Sequence, residues 1–566
     1  MPDHVALQSA QSTDLLKDLQ TQYVATSKEK KPRVYHFGSQ GPVGEFANHH
    51  NHSNRLVPVY IFGRKADLGA VTGENSRYRN AEKIKEAYGV VPPNTVNPRA
   101  VYADQSDLYR VQKEAIARGV KHVFIVWFDG LDWPTTQAAV VLKTGKVYTE
   151  GKGSGLFFQD YTGSGVAQYG FVVTSPTHDR SNQDIDRQVV TIPADSLRGG
   201  YDAQIAGPNP WTPGPLASQA PGYLKGQCAD AEDRAGVESA GRVLHAFTDS
   251  SQSAGELVSG VKSYNSGLNI ADDSRLVTTL FHELQDQGWK VGTVTSVPFC
   301  HASPAGMYAQ NVERYDYQDI ARAMLGLPGI IQEARQGRLH PGLDVVIGTG
   351  FGIEAKPEEL EDQGRNVVPG NLFLTDADFA SIDVKNGGKY LCVHTEIGTA
   401  GGPALRAAAA QAVQKGTRLF GFFGAKNFDH LPFRTADGRY DPAPSINKKQ
   451  RPDRRLKTRR IPQVIPDFLA HCRVIDKKTG EPADAEKYTP AELASQPTLA
   501  QMAEAAIDVL SSGNHPFILF VEAGDVDFAL HGNNLDNAIG AIYSGEEAVS
   551  ASSAGSKLTA TGTTPS

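Results

Sequence analysis

From about residue 120 onward, short apolar runs recur along the chain, and each one stops at a polar residue. HVFIVWF ends at Asp129, RVLHAF at Thr248, KVGTVTSV at Pro298 and HPFILFV at Glu522, with LDVVIGTG, KYLCVHTEI and TRLFGFFG between the last two. Runs of four to eight residues rich in Val, Ile and Phe are the pattern of strands buried on both faces, as in parallel sheets. Helical periodicity fills the intervals: GELVSGVKSYNSGL, SRLVTTLFHELQDQG, YQDIARAMLG and LAQMAEAAIDVLSSG, the last with Leu499, Met502, Ala506 and Val509 on one face. Strand and helix in alternation predict an α/β fold, a large and mostly parallel central sheet with helices on both faces.

The rest of the chain departs from that rhythm. Residues 1–115 are polar and loop-like apart from one strand candidate, Val57–Phe62, and read as an N-terminal extension. The α/β domain is expected over 116–549, with Gly-, Pro- and Ser-rich insertions at about 133–240 and 426–490. Residues 550–566 are rich in Ser, Thr, Ala and Gly without aromatic residues, the composition of a disordered tail.

Charge and composition narrow the classes. The net charge of −7 over 566 residues excludes a strongly basic nucleic-acid binder, so no nucleic-acid partner is expected. The run KKQRPDRRLKTRR carries eight basic residues from Lys448 to Arg460 but no interleaved aromatics, and reads as a solvated loop. His49, His50 and His52 lack helical spacing and read the same way. Cys228, Cys300, Cys392 and Cys472 form no C-x-x-C pair, which argues against a disulfide framework or a cysteine zinc knuckle. No run of 18 apolar residues suggests a membrane span, and the N-terminus shows no signal-peptide pattern.

In an open parallel sheet, ligands bind beyond the carboxyl ends of the strands. The residues standing there are Asp129-Gly130, Thr248-Asp249-Ser250, His301 with Ser303, and Glu522 followed by Asp527 and His531. Asp527 and His531 are spaced i, i+4, which stacks a carboxylate and an imidazole on one helix face. Each feature alone is ordinary: an Asp-Gly turn, a serine at a helix start, a surface pair. Together, these carboxylates, imidazoles and hydroxyls in one crevice suit divalent cations better than packing. Ser250 opens a helix, where unpaired N–H groups favour anions. That combination points to phosphoryl transfer.

These residues resemble the alkaline phosphatase family. TDSSQSAGELVSGVKSYNSGL is similar to its T-D-S nucleophile motif with G-V-K-x-Y-N, FVEAGDVDFALH to its V-E-G-x-x-I-D-x-x-x-H motif, and HASPAGMYAQNVER to its H/D-A-T-P-A segment ending in arginine. The resemblance implies a phosphomonoesterase acting on small-molecule phosphate monoesters through a phosphoseryl intermediate on Ser250. It implies two zinc ions and one magnesium ion. Asp129 would bridge zinc and magnesium, Ser303 and Glu522 would complete the magnesium site, and Asp527 and His531 would bind the other zinc. Arg314 would clamp the phosphate, and His301 would tune the magnesium site from outside it. A homodimer and a periplasmic or extracellular location are the family's usual condition. The absence of a Cys/Ser-x-Pro-x-Arg setting at Asp249-Ser250 argues against a sulfatase.

The family also carries a later Asp-His strand and a distal His. Only 35 residues follow His531, and none is His. The chain is therefore expected to be truncated at its C-terminus, with an inactive homologue that binds magnesium or phosphate esters without turnover as the alternative. Asp429-His430 precedes Glu522 and reads as a loop, not as a substitute ligand pair.

Overall fold

The computed structural model describes residues 56–561, leaving out 149, 164–166, 180, 195, 202, 204–245, 247, 336–338, 356–362, 426–429, 437, 439, 441–487 and 532–534. Among the described residues eleven strands follow in chain order: β1 Leu56–Phe62, β2 Ala103–Asp104, β3 His122–Phe128, β4 Ala167–Val173, β5 Asn182–Asp184, β6 Val189–Thr191, β7 Lys290–Pro298, β8 Val345–Thr349, β9 Tyr390–His394, β10 Arg418–Phe422 and β11 Phe517–Ala523. Six of them form a central sheet in the order β3-β11-β7-β8-β10-β9, and every pairing in it is parallel. A smaller sheet, β1-β4-β2, and the hairpin β5-β6 lie outside it.

The alternation along each strand explains why the runs are wholly apolar. In β11, Ile518 and Phe520 enter one hydrophobic cluster, while Phe517, Leu519, Val521 and Ala523 enter another on the opposite face. In β3, Val123, Ile125 and Trp127 face the first cluster, and Phe124, Val126 and Phe128 the second. Helices cover both faces. Leu499–Ser511 and Gly401–Lys415 supply Leu499, Met502, Ala506, Val509, Leu405 and Ala412 to one cluster; Ser250–Ser259 and Tyr317–Leu325 supply Leu257, Val258, Ile320 and Met324 to the other. The expected α/β architecture is the one observed.

Several boundaries differ from the sequence expectation. The helix read over GELVSGVKSYNSGL instead spans Ser250–Ser259 and stops at Gly260, whose φ of 71° takes the left-handed turn that favours glycine. Tyr264, in the VKSY that follows, is fully buried, but from a loop. Residues 133–203 carry the regular helix Trp133–Thr144, started by an Asp132 side-chain cap, and strand β4, which pairs antiparallel with β1. Helical backbone continues from Leu535 to Thr561, into the stretch whose small polar residues carry no clear amphipathic period. Asp429, the His49–His52 cluster and the basic run from Lys448 lie outside the described residues, as does the RVLHAF strand except for Ala246.

The small sheet is tied to the core by a buried ionic cluster. Lys262 Nζ donates to Glu256 Oε2 at 2.8 Å and to Asp104 at 3.1 and 3.3 Å. Tyr78 and Tyr88 both donate to Asp104 Oδ2, at 2.6 and 3.0 Å. Burial alone would push Asp104 up, but Lys262 and Arg77 hold it below the usual carboxylate range. Burial pushes Glu256 up to about 8, with the charge of Asp104 adding to it and Lys262 opposing.

Candidate active site

The carboxyl ends of β3, β11 and β7 lie side by side, since these are consecutive strands of the sheet. Register sets the heights: Glu522 pairs with Trp127 on one side and Thr295 on the other, and Ala523 with Phe128, so Asp129 follows two residues beyond the level of Glu522. Asp129 leaves β3 directly into Gly130, which has φ of 67°. A Cβ at Gly130 would stand 2.5 Å from Asp527 Oδ1 and 2.8 Å from Asp527 Cα. The β3 turn and the helix Asp525–His531 therefore abut, and only glycine permits that approach. Gly130→Ala is expected to lower the melting temperature, because both the positive φ and the Asp527 contact must be relieved. Differential scanning calorimetry checks this; unchanged melting would refute it.

Ser250 is the first residue of its helix. Its hydroxyl donates to Asp129 Oδ2 at 2.9 Å and lies 3.1 Å from Oδ1. Asp249 caps the helix, accepting from the Ser251 amide at 3.1 Å and the Ser266 amide at 3.2 Å, and it forms an ion pair with Arg314. Burial disfavours the charge on Arg314, but Asp249 more than offsets it and leaves the guanidinium firmly protonated. Arg314 also stacks over Tyr315, 5.3 Å from the ring centre. A cationic fork thus stands beside a serine at a helix N-terminus, an arrangement suited to a tetrahedral oxyanion.

Glu522 is buried and accepts from Thr295 Oγ1 at 2.5 Å. Ser303 is also buried, and its hydroxyl has no partner at ordinary hydrogen-bond geometry, yet it lies close enough to Glu522 to favour the charged carboxylate. Burial and then the charge of Asp129 push Glu522 up to about 8; burial and then Asp527 push Asp129 up to about 7, against the Ser250 hydrogen bond. Asp129, Glu522 and Asp527 therefore make up a set of carboxyls with too little positive charge among them. His301 lies at the edge of this group, its ring stacked on Tyr317 at 5.3 Å and near Phe528 at 6.0 Å. His531 ends the helix that carries Asp527.

Asp129, Ser250, Ser303, Glu522, Asp527 and His301 are thus brought to one end of the sheet, together with Arg314, which only the family resemblance singled out. Among the described residues no group of three or more His, Cys, Asp or Glu side chains is arranged to hold a metal ion. The donor set nevertheless suits one divalent cation chemically: mutually repelling carboxyls and a buried, unpartnered hydroxyl. Sequence reasoning missed Thr295, Ser296, Asp525 and the role of His430. Thr295 and Ser296 sit inside an apolar strand as TVTSV, and hydroxyls amid a buried strand were the available signal.

Residues 227–367 and 480–562 match the family model described as alkaline phosphatase. Over 79 residues the chain is 31% identical to "Alkaline phosphatase 4" of Bacillus subtilis (strain 168), covering 14% of this chain and 17% of that protein. Among solved structures, a cold-active alkaline phosphatase from the psychrophile Shewanella sp. aligns at 18% identity and a TM-score of 0.31, over 54% of this chain and 49% of that one. The alkaline phosphatase of Thermus thermophilus aligns at 21% identity and 0.30, over 54% and 44%. That of the Antarctic bacterium TAB5 aligns at 18% and 0.31, over 55% and 60%. The chain spans less than a fifth of the curated relative and no more than 60% of these solved chains.

Proposed function

We propose, from the premise that the chain resembles the alkaline phosphatase family over residues 227–367 and 480–562, that it is a phosphomonoesterase with Ser250 as its nucleophile. One observation carries the reading: a serine hydroxyl at a helix N-terminus is hydrogen-bonded to a carboxylate at 2.9 Å, with a partly buried arginine ion-paired to the residue before it. Arg314 and the first amides of the Ser250 helix would bind the phosphoryl oxygens and orient the phosphorus in line with Ser250 Oγ. Asp129 accepts the Ser250 hydroxyl proton in its hydrogen bond and so holds the oxygen in one rotamer. Asp129, Glu522, Asp527 and Ser303 would hold a divalent cation, magnesium or zinc, with His531 on the same helix as a further ligand. When bound, that cation supplies neutralising charge to the phosphate and favours the ionised serine. The substrate class is a small phosphate monoester, and a homodimer follows the family's habit.

Phosphate release from an aryl monophosphate, with added zinc and magnesium, tests the reading. Hydrolysis that a chelator abolishes is expected; turnover of the matching diester at an equal rate would sink the monoester assignment. A pH dependence should accompany it. Asp129 and Glu522 titrate near 7 and 8, well above unfolded carboxyls, so the folded protein holds protons that the unfolded chain has lost. Without cation, stability is full below the unfolded values and is lost as pH rises through about 7 to 8. Cation binding must displace those protons, so magnesium affinity should rise from pH 6 to pH 8.5. Calorimetric titration at several pH values checks this; an affinity that falls over that interval would contradict it.

A further inference from the structure

Just outside the carboxyl group lies a second cluster that the proposed chemistry does not use. His430 and Asp525 are 2% and 1% exposed, and His430 Nδ1 meets Asp525 Oδ1 at 2.6 Å. A carboxylate oxygen accepts, so the tautomer assigned here puts the proton of this contact on Nδ1 of the imidazole. The other carboxylate oxygen accepts from Ser296 Oγ at 2.5 Å, and that same hydroxyl accepts from the Gly524 amide at 3.1 Å. Ser296 contributes its backbone too: its carbonyl accepts from the Leu431 amide at 2.8 Å. The edge of the His430 ring packs against Phe528, with ring centres 4.4 Å apart and planes perpendicular.

Three separate pieces of chain therefore meet at one buried carboxylate: strand β7 through Ser296, the segment at 430–431, and the first residue of the helix Asp525–His531. That helix carries Asp527 two residues later, pressed against the Gly130 turn beside Asp129. A short helix holding an acidic side chain against two other carboxyls experiences repulsion that tends to push it outward. A buried hydrogen-bonded pair at its first turn resists that displacement, and the fixed direction of a ring N–H makes the restraint angular as well as radial.

We infer that His430 and Asp525 are a positioning pair, which, with Ser296, sets the helix Asp525–His531 against the sheet so that Asp527 stays turned toward Asp129 and Glu522. The inference rests on the cation-binding reading of those carboxyls for its functional consequence, but the positioning itself is a property of the protein alone. His430 contributes through its N–H donor and not through its bulk. Three substitutions separate these contributions. His430→Asn retains a donor where Nδ1 stands, His430→Phe retains the ring without the donor, and His430→Ala removes both.

Two measurements are made on the full chain: magnesium affinity by isothermal titration calorimetry, and hydrogen exchange of the amides in residues 525–531. The Phe and Ala variants should bind magnesium at least ~10-fold more weakly, and the Asn variant within about threefold of the parent, the scale of effect usual for groups that orient ligands. Exchange in 525–531 should quicken in Phe and Ala and return toward the parent rate in Asn. Restoration by Phe but not by Asn would overturn the inference in favour of packing. Parent-like behaviour of all three, or equal loss in all three, would overturn it as well. If the parent binds no magnesium, the cation reading fails by itself, and the exchange pattern alone decides whether the pair positions the helix. Should the Phe and Ala variants not fold, Ser296→Ala, which removes the other bond to Asp525, is expected to give the same loosening of 525–531; unchanged exchange there would overturn the inference.

Discussion

On the proposed phosphomonoesterase reading, Ser250→Ala is expected to lower kcat for phosphate release by about 10⁴-fold, the order seen when a covalent nucleophile is removed from an otherwise intact site. The size follows from the site's construction. Arg314, its Asp249 partner and the helix N-terminus all remain in place in this variant, so phosphate esters should still bind. What is lost is the oxygen that Asp129 holds at 2.9 Å. KM should therefore change much less than kcat. The substitution also removes a donor that lowers the proton affinity of Asp129, so that carboxyl should rise above its value of about 7. Steady-state kinetics on an aryl phosphate, with the parent prepared in parallel, decides the matter. Activity within tenfold of the parent would remove Ser250 from the mechanism.

Lys262→Met destabilises the fold by about 3–5 kcal/mol, because it breaks a buried ion pair and leaves carboxylates without their counter-charge. Lys262 has a side chain only 1% exposed, and it joins Glu256 of the Ser250 helix to Asp104 of the small sheet. Methionine fills much the same volume, so the loss reports charge and not a cavity. The pH dependence has a definite sign. Glu256 titrates near 8 in the folded protein against a usual 4.5, so its contribution is full at low pH and is lost as pH rises through 8. In the Met variant the carboxyl keeps its proton more readily, and the deficit should be smaller at pH 5 than at pH 8. Adding Glu256→Gln should recover part of the loss by replacing the unpaired carboxyl with an amide. Chemical denaturation of the parent, the single variants and the double variant measures the coupling; additive effects would show that the two residues do not interact.

The sheet strands were legible in the chain because burial on two faces demands continuous apolar runs, a local signature. HVFIVWF, KVGTVTSV and HPFILFV are β3, β7 and β11, and the residues after them do gather at one end of the sheet. The i, i+4 spacing of Asp527 and His531 and the helix start at Ser250 were equally local, and both fall in helices. The end of the Ser250 helix had a weaker signature, because apolar residues such as Tyr264 are buried from the loop beyond Gly260 as well as from the helix.

Other features had no local signature at all. Nothing near Lys262 in the chain announces Asp104, 158 residues away, and nothing near His430 announces Asp525, 95 residues on. A buried charge is stable only where its partner is brought to it, and that pairing depends on strand order, which periodicity does not encode. The upward shifts of Asp129 and Glu522 likewise arise from desolvation and from mutual repulsion between strand ends adjacent only in the folded sheet. The amino-acid sequence alone determined which residues stand at the ends of strands, because hydrophobic patterning is written along the chain. Only the tertiary structure decided which of those ends are neighbours, and therefore which carboxyls compete for charge and that His430 meets Asp525, because electrostatic contact depends on distance in space.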